Sequence, residues 1–203
     1  MTQNDDAEMK NGLNIQGLDK FKKLIREVSR TQMAFQSQTQ DWIVGDCPTQ
    51  SIIHGHWMIL TLISAKDFNL TCKTHFNTDV AQQLASKIFL RPAEQITVAQ
   101  AIDFMKEYSN MLSGGLKSSL LSIAVQTGVS LPVITRGFDE VLLPKPTPPY
   151  SWGDQWTLSS SESEIPISVN ISVNIVTRTS VNFSLLPDDV VSKSGTQGDV
   201  EFL

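Results

Sequence analysis

The chain predicts an α/β (α+β) domain in which roughly three helices pack on an antiparallel-rich sheet. Three observations carry that expectation: apolar residues recur at helical spacing after Leu18, Thr78 and Thr97, two apolar runs flank Ala65-Lys66-Asp67 like the arms of a hairpin, and residues 165–176 alternate strictly. With 203 residues, 40% of them hydrophobic, one sizeable core and one domain with tails is the simplest organisation.

Residues 1–14 are polar and irregular and read as a flexible lead to a domain over 15–186. Phe21, Leu24, Ile25 and Val28 then mark a first helix, with Lys20, Lys22, Lys23 and Arg26 around it, ending before Asp41. Ser51–Ser64 and Phe68–Phe76 form the expected hairpin. Asn77 or Thr78 caps a second helix through Val80, Ala81, Leu84, Ala85 and Ile88, which Arg91-Pro92 stops.

Thr97 opens the long third helix, and Gly128 is the expected stop for whatever continues past Gly114-Gly115. Two glycines inside a helix cost on the order of 1 kcal/mol each relative to alanine, so they require a reason such as close packing or a kink. Val129–Thr135 reads as a buried strand, and Leu143–Tyr150, crowded with prolines, as a loop. Ile167, Val169, Ile171, Val173 and Ile175 form the dry face of a half-wet strand with which Val181–Leu185 is expected to pair. Residues 187–203 read as a disordered tail, in which Asp188, Asp189, Asp199 and Glu201 stand against Lys193 alone.

A formal charge of −5 with mixed signs argues against nucleic acid or an anionic membrane as the main partner. The start lacks a basic and apolar leader and no run is long enough to span a bilayer, so a cytoplasmic protein is expected. The Asn-x-Ser/Thr triplets at Asn69, Asn170 and Asn182 then read as chance matches. Cys47 and Cys72 are expected to be free thiols.

Chemistry concentrates on the third helix. Asp103, Glu107 and Asn110 stand at i, i+4 and i+7, within roughly 60° of arc on a helix turning ~100° per residue. A companion stripe of Val98, Ile102, Met105, Ser109 and Leu112 should face the core and turn the polar stripe outward. Rival constellations are weaker. Ser113-Gly-Gly-Leu-Lys-Ser118 lacks the spacing of a phosphate-binding loop and follows no strand. His54, His56, Cys72 and His75 make a conceivable zinc set of unfamiliar spacing, for which ordinary strand packing is the expectation. Trp152 and Trp156 read as core filling or as cover for an apolar edge.

The run Asp103-x-x-x-Glu107-x-x-Asn110, followed by Gly114, Lys117 and a strand beginning Val-Ser-Leu-Pro132, resembles the signature of the CheC/CheX/FliY family of chemotaxis phosphatases. The element order is similar as well. The first helix offers Arg26-Glu27-Val28-Ser29-Arg30 without an Asn three residues after Glu27, so one site is present, which resembles CheX rather than the two-site CheC. The resemblance implies the CheC-like fold and hydrolysis of the aspartyl phosphate of a CheY-like response-regulator receiver. Asn110 would orient water, Glu107 would pair with the receiver's lysine, and Asp103, Gly114, Lys117 and Pro132 would line the contact. It implies no cofactor of the chain's own, Mg2+ being supplied by the receiver, and pairing into a homodimer through the sheets. The alternatives are a non-catalytic receiver-binding module of the same fold and, more remotely, a metal sensor built on the histidine hairpin.

Overall fold

The computed structural model describes residues 15–47, 55–137, 151–160 and 167–187. The expected lead 1–14, the proline-rich run at 143–150 and the tail from 188 onward lie outside these residues, as do Ser51–His54 at the start of the expected hairpin. In chain order the elements are β1 (Ile15–Gln16), α1 (Leu18–Ser37), β2 (Ile43–Asp46), β3 (Trp57–Ala65), β4 (Phe68–Phe76), α2 (Thr78–Phe89), α3 (Val98–Leu121), β5 (Thr127–Val129), β6 (Val133–Arg136), β7 (Ser151–Ser160), β8 (Ile167–Thr177) and β9 (Val181–Asn182).

The main sheet runs β2-β7-β8-β4-β3, with β5 and β6 both pairing β3 at the far edge, and its neighbours are antiparallel throughout. Cross-strand partners share a face. Leu70, Ile175 and Trp152 therefore sit together, as do Thr74, Ile171 and Trp156, and this apolar face carries the helices. Phe21 of α1 stacks on Phe183 at 4.1 Å, sealing the end where β1 and β9 pair. Gly17 caps α1 at φ +72°, close under the backbone of Phe183 and Ser184, where a Cβ would collide.

Polar pins tie the helices to the sheet and to each other. The Trp156 indole donates to Ser29 Oγ at 2.9 Å, Ser113 Oγ donates to Thr61 Oγ1 at 2.9 Å, and Gln36 Nε2 donates to the Phe104 carbonyl at 2.7 Å. Arg26 forks onto Asp154 with bonds of 2.8 and 2.9 Å and reaches Asp46 at 2.6 Å. The Asp154 partnership raises the Arg26 pKa, and the Arg26 guanidinium holds the Asp46 carboxyl below its usual range.

Several expectations are corrected. Val129–Thr135 is not one buried strand. It is the edge pair β5 and β6, with Val129 and Val133 exposed. Ile63 faces Val129 while Leu60 faces Val133, so the edge strand holds one extra residue at Ser130–Pro132, a β-bulge. Val181–Leu185 does not join β8; Val181 and Asn182 run parallel to Ile15 and Gln16. β8 pairs with β7 instead, a strand that the sequence hides because charged Asp154 occupies its inward face. The short edge strand β2 beside it is likewise absent from the sequence reading. Gly128 lies inside β5 and stops no helix.

α1 and α2 are capped by non-glycine residues in the left-handed region, Gln38 at φ +54° and Leu90 at +52°, and the turn that closes α3 past Ser122 reaches the same region at Ala124, φ +61°. Each is followed by an amide that donates back five residues, Thr39 to Ala34, Arg91 to Ser86 and Val125 to Leu120. A Cβ in that conformation costs roughly 1–2 kcal/mol. Ala124→Gly should therefore raise the unfolding free energy by about 1 kcal/mol in a urea titration, and an unchanged midpoint would contradict the assigned turn. Gly115→Ala should lower it by about 1–3 kcal/mol, because the new Cβ would stand 2.7 Å from Val28 Cγ1.

Candidate functional site

Thr97 starts α3 with a full capping box: its hydroxyl accepts from the Gln100 amide at 3.2 Å and its own amide donates to Gln100 Oε1 at 3.0 Å. From that start the helix sets Ala101, Phe104, Met105, Tyr108, Ser109, Leu112, Ser113, Leu116 and Leu120 into the interior. The expected core stripe is thus right at Met105, Ser109 and Leu112. Val98, which stands on the first turn, is exposed, and Ile102 is half-buried.

The two glycines separate cleanly. A Cβ on Gly115 would meet Val28 at 2.7 Å and Gln32 Nε2 at 3.4 Å, so this glycine admits α1. Gly114, about 100° around the helix, would meet nothing within 4 Å and is exposed. No contact within the described residues asks for a glycine there. It leaves a notch in the outer surface of α3.

That outer surface is the polar stripe. Asp103, Glu107, Asn110, Gly114 and Lys117 are all exposed, and Leu121, one turn further at i+4, extends the line with an exposed apolar side chain. Asn110 Nδ2 donates to Glu107 Oε2 at 3.3 Å, so the amide and carboxylate already face one another. Lys106 Nζ lies 4.0 Å from Asp103. Pro132, half-buried, sits on another element, in the bulge between β5 and β6, and β5 packs beside α3.

Tyr108 supplies the orientation, and the motif pattern gave no sign of it. Its ring is buried between the helices and its hydroxyl donates to the Ser29 carbonyl at 3.3 Å. Burial pushes its pKa well above the ordinary phenol value, so it stays a neutral donor at physiological pH. With Tyr108 held inward, Glu107 and Asn110 must point outward.

The buried positions of α1 run in step with those of α3 over the first part of each helix. Phe21, Leu24, Ile25, Val28, Ser29 and Met33 are buried, as are Ala101, Phe104, Met105, Tyr108, Ser109 and Ser113 at the matching positions. That correspondence places Lys23, Glu27 and Arg30 where α3 has Asp103, Glu107 and Asn110. Glu27 is held by Arg30, whose hydrogen bonds lower its pKa, and Ala34 is buried where Gly114 stands open. An arginine with no lone pair to offer cannot hold water as an amide does.

Among the described residues the histidine hairpin does not gather into a metal site. Cys72 faces the helices, paired with Thr61 and Val173, whereas His75 three residues on faces the opposite side of the sheet. Burial pushes the Cys72 thiol up to about 12, so the metal-binding thiolate is disfavoured. His56 Nδ1 instead accepts from the Thr78 amide at 3.4 Å at the start of α2. His54 lies outside the described residues. No group of three or more metal-ligating side chains occurs among the described residues.

Residues 64–150, which contain all of α3, match the family model described as chemotaxis phosphatase CheX. Over those residues the chain resembles CheX. Its fold is similar to a chain of the CheX–CheY–BeF3–Mg2+ complex from Borrelia burgdorferi, with a TM-score of 0.60 and 14% identity over 78% of this chain and 97% of that one. A CheC-like protein from Shewanella sp. PV-4 gives 0.59 and 14% over 77% and 97%. CheX from Desulfovibrio desulfuricans gives 0.52 and 11% over 76% and 97%. At these identities the likeness establishes the CheC-like fold. No curated protein matches the chain in sequence. No helix of the described residues is long and apolar enough to cross a membrane.

Because Glu107 and Asn110 are exposed and bind chiefly each other, the CheX-like fold does not depend on them. Glu107→Ala and Asn110→Ala should each change the unfolding free energy by less than about 0.5 kcal/mol. Thermal melts of the two variants check this, and a loss of several degrees would mean that the side chains serve the core.

Proposed function

We propose that the protein hydrolyses the aspartyl phosphate of a CheY-like receiver domain by inserting the outer surface of α3 into the receiver's reaction centre. The single observation that carries this reading is the exposed pair Glu107–Asn110, an amide and a carboxylate on a rigid helix and in mutual contact. The match to a family described as a chemotaxis phosphatase supports it.

Phosphoryl transfer to water depends mostly on positioning and on compensating charge. An amide can donate to and accept from a water molecule without titrating, so Asn110 holds the nucleophile in line with the phosphorus. Glu107 meets a cationic side chain of the receiver and so fixes the register of docking. Asp103 stands at the rim of the same contact, and Pro132 on the neighbouring bulge borders it. The divalent cation that neutralises the phosphoryl oxygens comes with the receiver. Gly114 lets the partner approach the helix closely, a role for which the open space around it is suited.

Two measurements test the proposal. Decay of a phosphorylated receiver should be accelerated by the wild-type protein and slowed about a hundredfold in Asn110→Ala, close to 3 kcal/mol of barrier. Equal rates for the two proteins would leave a receiver-binding module without catalysis. Gly114→Leu separates docking from folding. The leucine is the better helix former by roughly 1 kcal/mol, yet it fills the notch, so stability should rise while KM for the receiver rises as well.

A further inference from the structure

Lys117 lies seven residues beyond Asn110, nearly two full turns and about 10.5 Å along the axis, on the same line of the helix. It is exposed, and among the described residues it has no hydrogen bond or ion-pair partner. Side chains on a helix lean toward its N-terminus and cover the preceding turn. The turn before Lys117 carries Gly114, around whose Cβ position nothing stands within 4 Å. A four-carbon stem can therefore run back across an open notch toward Asn110.

The charges along α3 are polarised. Asp103, partly offset by Lys106 at 4.0 Å, and Glu107 leave the first part of the stripe net negative, Asn110 is neutral, and Lys117 is the cation of the second part. A receiver that meets this stripe with a cation at Glu107 must bring its anion toward Asn110 and Lys117. An unphosphorylated receiver brings no such anion. The lysine thus meets a group that is present in only one state of the partner.

We infer that Lys117 is the specificity-determining residue for the phosphorylated state of the receiver, its ammonium pairing across the Gly114 notch with the phosphoryl group whose attacking water Asn110 orients. This rests on the receiver-phosphatase reading and assigns the chemical group that Lys117 meets. A compact ammonium suits the role because it pairs with an anion as a point charge and needs no fixed fork geometry. Lys117 touches the anion but moves no proton, so its loss should appear in binding before it appears in turnover.

The test is a calorimetric or fluorescence titration with a CheY-like receiver bound by the wild-type protein. The receiver is taken once unmodified and once loaded with beryllofluoride and Mg2+ as a stable phosphoryl mimic. In Lys117→Met the preference for the loaded form should fall about fivefold, the effect of one exposed charge pair. Lys117→Arg should restore most of it, and added salt should erase the difference between wild type and Lys117→Met. An unchanged preference in Lys117→Met, with an unchanged melting temperature, would overturn the inference while leaving the Asn110 chemistry standing. If no receiver is bound, both readings fall together. If the preference falls in Lys117→Met but Asn110→Ala hydrolyses normally, only the catalytic reading fails.

Discussion

The close crossing of α1 and α3 is the constraint on which the site depends. At Gly115 the surface of α3 is stripped to backbone so that Val28 and Gln32 of α1 can press against it, and Tyr108 and Gln36 bridge the same seam. Ser113 then anchors the helix to Thr61 in the sheet. A helix pinned along both these lines cannot roll about its axis. The stripe from Asp103 to Leu121 is consequently presented to solvent on a rigid rod.

Along the same seam, α1 does not repeat the polar stripe of α3. The buried faces of α1 and α3 match at six positions, from Phe21 and Ala101 to Met33 and Ser113, so both helices could in principle present a stripe. On α1 the position of the amide is Arg30, and its guanidinium is spent on Glu27. Ala34 is enclosed where the corresponding turn of α3 is open.

The sequence made the helices and the stripe legible because both are local. Apolar spacing located α1, α2 and α3, and the four-then-three rhythm of Asp103, Glu107 and Asn110 settled which side of α3 faces out. The expected helix stop at Gly128 failed because the left-handed residues that close the three helices, Gln38, Leu90 and, in the turn after α3, Ala124, carry no signal for that conformation. β7 stayed hidden because Asp154 lies on its core face, tolerated only through Arg26, a partner 128 positions away. The apolar run after Gly128 looked buried but lies at a sheet edge, and the pairing of β9 with β1 joins segments too far apart in sequence for pattern to connect. Tyr108, which turns Glu107 and Asn110 outward, looked like any other core aromatic.

On the proposed function, the outer line of α3 is the surface that a phosphorylated receiver meets. Amide chemical-shift mapping of the isotopically labelled protein tests it most directly, with addition of an unlabelled CheY-like receiver carrying beryllofluoride and Mg2+. The account predicts that the signals of residues 103–121 and of the bulge at 130–132 shift or broaden together, while those of α2 and of β8 stay in place. Perturbations centred on α2 or on the polar face of the sheet, with α3 silent, would contradict it.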